Sequence, residues 1–228
     1  SVGTAVKLAC DAVGAKLLKM AKKLPHSPLA DAKLDDIVFA ERCIRKKDAP
    51  AQAVSILDAM RHAGALRIEE QATALPNVAK QTQYARSTHS AVFVEVGVDE
   101  ALGMVQVRRV VSAIAGGRIV NPKTARSQIV GAVVWGIGMA LQEESHVDHK
   151  LGRFMNHHLS EYHFPVSADI HDIDVIFVEE EDQIVNPLGV KGLGEIGIVG
   201  VAAAIANAVY HATGRRVRDL PITLDKLL

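Results

Sequence analysis

Cysteine is scarce in this sequence, and its scarcity excludes several kinds of metal centre. Only two cysteines occur among the 228 residues, Cys10 and Cys43. They lack the close spacing of a zinc ribbon or an iron–sulfur loop. We interpret both as reduced residues of a hydrophobic core, without a disulfide between them. The sequence therefore offers no cysteine set for a metal cluster of its own.

An excess of charge of one sign is also absent. The chain has 26 basic and 26 acidic residues, so its formal net charge is zero. Because nucleic acids and anionic membranes attract clustered positive charge, we expect neither as a partner. The longest uncharged apolar runs, residues 129–141 and 196–206, are shorter than the roughly 18 residues of a membrane span. We therefore expect no membrane span.

An initiating methionine and a signal peptide are missing as well. The sequence begins at Ser1, and its first ten residues lack a basic start followed by an apolar core. We expect this chain to continue a longer polypeptide. Hydrophobic residues make up 49% of the sequence, enough for a globular core, and either one large domain or two smaller lobes would fit its length.

The hydrophobic pattern predicts an α+β fold, in which β-hairpins and a mixed sheet pack against long buried helices. Residues 29–49 have a mixed pattern that assigns no element, and residues 66–90 are expected to form an irregular linker. The predicted helices cover residues 6–20, 50–64, 122–143 and 196–212, and the predicted strands cover residues 91–99, 104–115 and 173–178.

The helix predicted from residue 122 has strong local signals at its start. Asn121 is a natural N-cap, and Pro122 suits the first helical position. The second half of the helix is apolar on all sides and contains Gly131, Gly136 and Gly138. These glycines predict close packing against neighbouring backbones.

Residues 115–128 form the first candidate functional segment. A strand end and a glycine pair lead into a helix start with Arg118, Lys123 and Thr124 nearby, a combination that can bind phosphate. A glycine turn into a capped helix with solvated basic side chains explains the same residues, and is the commoner outcome. Gln128 lies one turn inside the helix, where its amide needs either a bound polar ligand or a neighbouring loop as a partner.

Histidines are concentrated in one part of the chain. Six of the ten occur between residues 146 and 171, but their spacing matches no helical pair and no zinc-protease pattern. We interpret this segment as a polar surface of strands and loops, and we predict no metal ligands in the protein.

The segment GVKGLGEIGIVG, residues 189–200, is the third candidate. Gly189, Gly192 and Gly194 would let the backbone approach a ligand closely, and Lys191 offers a single cation. Glu195 follows directly, at the predicted start of the final helix.

Two interpretations of Glu195 are equally supported by the residues alone. A carboxylate at a helix start stabilises the helix by a few tenths to about 1 kcal/mol. Alternatively, Ile196, Ile198 and Val199 would hold the carboxylate in apolar surroundings, where desolvation raises its pKa into the range of a general base.

Three blocks of the sequence resemble the C-terminal part of the molybdenum-binding subunit of the xanthine dehydrogenase and aldehyde oxidase family. The blocks are SVGTAV at the start, GGRIVNPKTARSQ from residue 116, and NPLGVKGLGEIGIVG from residue 186. The resemblance is closest to bacterial periplasmic aldehyde oxidoreductases. It is strong from about residue 90, and poor over residues 25–85, which we interpret as a variable section. We treat residues 1–228 as one molybdopterin-binding region of a longer subunit.

The resemblance implies a molybdenum hydroxylase that oxidises an aldehyde to a carboxylic acid, or hydroxylates an N-heterocycle, with oxygen from water. Glu195 is the implied general base, which takes a proton from a molybdenum-bound hydroxide. The implied cofactor is molybdopterin, in bacteria usually the cytosine dinucleotide, whose dithiolene holds the metal without a protein ligand. The implied cofactor-binding residues are Ser1, Val2, Gly3, Arg118, Ile119, Val120, Asn121, Pro122, Lys123, Thr124, Gln128, Lys191, Gly192, Leu193 and Gly194.

The resemblance also implies partners. These are the upstream part of the same subunit, an iron–sulfur subunit, an FAD subunit, and a small aldehyde or heterocyclic substrate. Two locations are compatible with the resemblance: the cytoplasm, and the periplasm if the subunit is exported with a partner. The segment alone is expected to be inactive. A cofactor-free assembly or interaction domain that retains the fold is the alternative.

Overall fold

A computed structural model describes residues 2–75, 79 and 82–228. The chain divides into two units, Ser1–Gln83 and Tyr84–Leu228, each with its own hydrophobic core. Part of the linker predicted at residues 66–90 lies outside the described residues, as does Ser1.

The first unit combines two helices with a small antiparallel sheet. Helix α1 covers Val2–Lys22 and α2 covers Ile56–His62. Strands β1 (Ile37–Ala40), β2 (Cys43–Lys46) and β3 (Ala53–Ser55) pair in the order β1-β2-β3. The core is built from Leu17, Leu18, Ala21, Leu29, Ala32, Ile37, Ile44, Val54 and Ala59.

Two sequence predictions for the first unit are wrong. The helix predicted over residues 50–64 begins only at Ile56, because residues 53–55 pair with β2 and Ser55 caps the helix by accepting the Asp58 N–H at 3.3 Å. The cysteines are not core residues: Cys10 is exposed and Cys43 half-buried, and both are free. The helix predicted from residue 6 to 20 is confirmed by α1.

The second unit is built on a three-stranded mixed sheet. Strand β4 (His89–Asp99) pairs antiparallel with β5 (Met104–Ala115) as the predicted hairpin, with a bulge between Glu95 and Val96. Strand β8 (Asp172–Phe177) pairs parallel with β5 on its other side. A short hairpin of β6 (Val147–Asp148) and β7 (Arg153–Phe154) lies between them in sequence.

Three helices complete the second unit: α3 (Pro122–Leu141), α4 (Ile196–Val199) and α5 (Val201–Thr213). As predicted, Asn121 caps α3, with its side chain accepting the Thr124 N–H at 3.2 Å. Helix α3 contacts α4 and α5, and α5 also contacts β4. The core contains Val107, Val110, Ile114, Ile129, Val133, Ile137, Ala140, Ile173, Val201, Ile205, Val209, Ile222 and Leu227.

The second half of α3 is apolar on all sides, but the burial predicted for it is observed on one side only. Trp135 and Met139 are 62% and 49% exposed, and a Cβ at Gly131 would meet no atom within 4 Å. Only one side of α3 is covered by the sheet and the other helices. Close packing is confirmed at Gly136, where a Cβ would collide with the side chain of Val201.

The predicted final helix is divided in two at Gly200, which ends α4 and precedes α5. Among the described residues, the segment Ile196–Thr213 is long and apolar enough to cross a membrane by length and composition alone. The buried side chains of Val201, Ile205 and Val209 lie in the core of the unit, and core helices commonly have such composition.

Candidate functional site

Two candidate segments from the sequence lie side by side in the second unit. Gly117 and Val190 form an isolated antiparallel β-bridge. On either side of it, the Arg118 N–H donates to the Gly189 carbonyl at 2.8 Å, and the Lys191 N–H donates to the Gly116 carbonyl at 3.2 Å. We call these paired segments, residues 116–118 and 189–191, the loop junction.

Close approach of the two backbones explains the glycine pair. Gly117 has a φ of +67°, and a Cβ there would collide with the Gly189 carbonyl oxygen. A Cβ at Gly116 would lie 2.7 Å from Cδ1 of Leu193. Gly117 is therefore required by backbone packing within this chain, and a side chain at Gly116 would displace Leu193, which favours the glycine-turn interpretation of this segment over a phosphate loop.

Lys191 is enclosed by acidic groups rather than free to meet a ligand. Its side chain is 9% exposed, and its amine forms ion pairs with Glu180 and, at 3.3 Å, with Asp182. The other oxygen of Glu180 accepts the Gly117 N–H at 2.9 Å. Glu180 thus bonds to both segments of the loop junction, and the single cation expected to face a cofactor is neutralised within the protein.

Hydrogen bonds and ion pairs shift the protonation equilibria of Lys191, Glu180 and Asp182 toward the charged form. The hydrogen bond to Glu180 raises the pKa of Lys191 above its usual value. Lys191 and, after it, the Gly117 N–H lower the pKa of Glu180. The pKa of Asp182 is lowered chiefly by hydrogen bonds from the Val185 and Ile184 N–H groups.

Asn186 fixes the turn that leads into the loop junction. Its Nδ2 donates to the Val190 carbonyl at 2.6 Å, and its Oδ1 accepts the N–H groups of Leu188 and Val190 at 3.1 and 3.3 Å. Asn186, Glu180 and Asp182 were not predicted from the sequence as organising residues. The available signal was the Asn-Pro-Leu-Gly run, which is typical of a side-chain-stabilised turn.

The segment after Lys191 has a different character. A Cβ at Gly192 would meet no atom within 4 Å, and one at Gly194 would meet only Gln128 Oε1 at 3.9 Å. Neither glycine has a positive φ. The Thr88 hydroxyl donates to the Gly192 carbonyl at 2.8 Å, a contact that sequence analysis did not foresee. Packing and conformation in this chain do not require these glycines, so the bare backbone here fits a bound group that approaches from outside.

Glu195 follows these glycines and is the N-cap of α4, but its side chain makes no capping hydrogen bond. The expectation of apolar surroundings is not met, because Glu195 is exposed. Ile196 packs against the core of the unit, and Val199 is 72% exposed, so neither encloses the carboxylate.

Gln128 is also exposed, and its amide lies beside Gly194. The expectation that burial would force this amide to find a partner is therefore wrong. Its position next to Gly194 nevertheless joins the second candidate segment to the third.

The start of α3 offers fewer free donors than the sequence suggested. Pro122 has no N–H, and the N–H groups of Thr124 and Ala125 are donated to Asn121. In the part of the chain that the structure describes, the Lys123 N–H is left in the first turn without such a bond. The side chains of Arg118, Val120 and Lys123 are exposed, and that of Ile119 is half-buried.

A cavity of about 920 Å³ lies beside the loop junction, between residues 117–122 and 177–189. Its wall carries four consecutive acidic residues, Glu179 to Asp182, and Arg118 is the one basic residue in the lining. Lys191 pairs with Glu180 and Asp182, so acidic charge remains in excess. Such a wall repels phosphate, so the exposed face of Gly192, Gly194 and Gln128 fits an anionic cofactor better than this cavity does.

The remaining predicted residues lie elsewhere. Val2 and Gly3 are exposed in the first turn of α1, in the first unit, and Ser1 lies outside the described residues. Among residues 2–75, 79 and 82–228, no three His, Cys, Asp or Glu side chains are grouped closely enough to hold a metal ion.

Comparison with known proteins identifies the family. Residues 1–171 match the family described as a molybdopterin cofactor-binding domain. The chain belongs to this family. The resemblance inferred from the three sequence blocks is thereby confirmed, and so is the fold class.

The chain is similar to the molybdenum-binding subunits of known oxidoreductases. It is 58% identical over 146 residues to the aldehyde oxidoreductase molybdenum-binding subunit PaoC of Escherichia coli K12. The aligned residues are 64% of this chain and 20% of PaoC. It is 41% identical over 136 residues to the putative xanthine dehydrogenase molybdenum-binding subunit XdhA of the same organism, 59% of this chain and 18% of XdhA. The chain thus spans about a fifth of the length of these relatives.

The solved structures agree on the fold. CO dehydrogenase from Oligotropha carboxidovorans superposes over 99% of this chain and 28% of its own, with a TM-score of 0.76 and 17% identity. At that identity the similarity concerns the fold of the molybdopterin-binding family and not its activity.

Proposed function

We propose that this chain forms part of the molybdopterin-binding region of a molybdenum hydroxylase, with Glu195 as the general base. The proposed reaction is the oxidation of an aldehyde to a carboxylic acid with oxygen from water, and hydroxylation of an N-heterocycle is the other candidate. The similarity to an aldehyde oxidoreductase subunit favours the aldehyde.

The open backbone at Gly192 and Gly194 is the observation that carries the proposal. These glycines and the neighbouring Gln128 amide would hold the pterin, which we propose to be the cytosine dinucleotide form. Lys123 is exposed and available for its phosphates, and Arg118, which also lines the acidic cavity, would have to turn its exposed side chain away from that wall to join it. When bound, this cofactor supplies the two-electron oxidation of the substrate carbon.

Glu195 is separated from Gly194 by a single peptide bond, so a group seated on the glycines lies close to its carboxylate. We propose that Glu195 accepts a proton from the water-derived nucleophile that attacks the substrate. Enclosure by cofactor, substrate and upstream polypeptide would exclude water from Glu195 and from the nucleophile.

The electrons would leave through iron–sulfur clusters and FAD on separate subunits. The two cysteines of this chain, one exposed and one half-buried, provide no cluster site, and PaoC is named as one subunit of an oxidoreductase. We propose the cytoplasm or, by export with a partner subunit, the periplasm as the location.

Substitution of Glu195 by Gln tests the general base. In the purified enzyme, we expect unchanged molybdenum and pterin content, and a fall in aldehyde turnover of about 10²- to 10⁴-fold with an artificial electron acceptor. Glu179→Gln is the matched control, because Glu179 is also an exposed carboxylate but lies on the wall of the acidic cavity. Near-normal turnover by the Glu195→Gln enzyme with full cofactor content would remove the assigned role.

Cofactor analysis tests the alternative of a cofactor-free assembly domain. The proposal expects molybdenum, pterin and cytosine nucleotide in protein purified with its upstream portion. Absence of all three would favour the assembly domain. The 228-residue chain on its own is expected to be inactive, and aldehyde oxidation by it would contradict that expectation.

A further inference from the structure

We propose that Glu180 is a positioning residue, which acts through Lys191 to hold the segment that carries Glu195 against the end of β5. The inference rests on the proposed function, in which Glu195 is the base. It concerns a residue that the sequence motifs do not include, since Glu180 lies 15 positions before Glu195 in the acidic turn after β8.

Glu180 is the point at which three segments meet. One of its oxygens accepts the backbone N–H of Gly117 at 2.9 Å, directly after β5. The other binds the amine of Lys191 in the partner segment of the loop junction. The Glu180 side chain is 28% exposed and that of Lys191 is 9% exposed, so solvent screens this pair less than a typical surface ion pair.

The path from Lys191 to Glu195 depends on this anchor. Gly192 and Gly194 have no side chains with which to pack, so the contacts that support Lys191 are the Thr88 hydroxyl bond to the Gly192 carbonyl and the packing of Leu193 against the core beside Gly116. After Glu195 the chain is fixed again, because Gly197 lies against α3, where a Cβ would be 2.9 Å from the Cβ of Ala132. The position of Glu195 is therefore set by Lys191 and Leu193 on one side and by α4 on the other.

Loss of charge on Glu180 would disturb Lys191 more than it disturbs Gly117. A glutamine at position 180 keeps an oxygen that can accept the Gly117 N–H, but it leaves the enclosed ammonium with Asp182 alone, at 3.3 Å. We expect Lys191 to move toward Asp182 or toward water, and the glycine segment to move with it. A displacement of about 1 Å at a catalytic group can reduce turnover about 100-fold.

The experiment compares Glu180→Gln, Lys191→Met and the double variant with Glu181→Gln in the purified holoenzyme. Glu181 is the matched control, since it is an exposed neighbour with the same charge. The measurements are kcat, KM, molybdenum content, and amide hydrogen exchange of peptides that cover residues 116–118 and 189–195.

For both single variants we expect a kcat reduced about 10- to 100-fold, KM and molybdenum content within about 2-fold of wild type, and faster exchange in residues 189–195. Because the two residues act as a unit, the double variant should be no worse than the poorer single variant. Lys191→Arg, which keeps the charge, should recover part of the kcat lost in Lys191→Met.

Three results would overturn the inference. The first is exchange and turnover in Glu180→Gln and Lys191→Met that match Glu181→Gln. The second is a loss of molybdenum in proportion to activity, which would indicate a purely structural pair. The third is multiplicative losses in the double variant. Failure of the proposed function would be seen separately, as a wild-type enzyme without molybdenum or as an active Glu195→Gln enzyme. In that case the exchange data still test whether Glu180 and Lys191 hold residues 189–195 in place.

Discussion

Replacement of the buried Gly117 by alanine should destabilise the second unit more than the same change at Gly214, which has a similar φ but open surroundings. The residue has a φ of +67°, which is unfavourable for a side chain, and its new Cβ would collide with the carbonyl oxygen of Gly189. That oxygen belongs to the backbone of the loop junction, so relief of the collision requires the two segments to separate.

The expected cost follows from the contacts that separation would break. Left-handed backbone at a non-glycine residue costs about 1–2 kcal/mol. The bonds from Arg118 N–H to Gly189 and from Lys191 N–H to Gly116 are each worth about 0.5–1.5 kcal/mol. With partial retention of these bonds, we expect the free energy of unfolding to fall by about 2–4 kcal/mol.

Urea unfolding followed by tryptophan fluorescence measures this change in the relevant unit. Trp135 is the only tryptophan of the chain and lies in α3, in the same unit as Gly117. With an m-value of about 2 kcal/mol/M, the midpoint should fall by about 1–2 M urea.

Gly214→Ala is the control for backbone strain alone. Gly214 has a φ of +73° at the end of α5, but a Cβ there would meet no atom within 4 Å. This variant should lose only about 1–2 kcal/mol. Equal losses in the two variants would refute the reasoning, because they would show that the backbones at the loop junction do not approach closely.

Three further predictions concern stability. Ser112→Ala should leave the free energy of unfolding unchanged or raise it by up to about 1 kcal/mol in the same urea assay. The reason is that the fully buried hydroxyl has no hydrogen-bond partner in the described structure. A loss above about 1 kcal/mol would show that the hydroxyl has a partner. Gly131→Ala, at an open position on α3, should stabilise by about 0.5–1 kcal/mol, and a loss would indicate that this helix face is crowded. The lowered pKa of Glu180 stabilises the fold above the unfolded carboxyl pKa of about 4.3 and ceases to do so as the pH falls through the folded pKa. The advantage of wild type over Glu180→Gln, measured by urea unfolding from pH 7 to 2, should therefore disappear in acid, whereas a constant difference would contradict the assigned cause.

The elements that the sequence predicted well are those with local signals. The strands β4 and β5 are rich in β-branched residues over eleven and twelve positions, and α3 begins with a capping asparagine and a proline. The strands β1, β2 and β3 are only three or four residues long, too short for a periodic pattern. Ser55 ends a strand and caps a helix at once, and such a dual role leaves no single pattern to recognise.

The organisation of the site was less predictable, because it depends on contacts between distant residues. Glu180 and Gly117 are 63 positions apart, and their bond exists only because β8 runs parallel to β5 and brings its end beside the glycine pair. Gly189 and Gly192 look equivalent in the sequence. The structure distinguishes them, because Gly189 lies within the loop junction and Gly192 beyond it.

This difference divides the GVKGLGE segment at Lys191. Up to Lys191, the backbone is hydrogen-bonded to Gly116 and Arg118, and the lysine charge is paired with Glu180. This half of the segment therefore stabilises the fold and has no free polar group for a ligand among these. After Lys191, Gly192 and Gly194 meet little within the chain. A rigid anchor followed by an accessible backbone is the arrangement that a site for a bulky cofactor requires, because the ligand then meets a surface that is already in place.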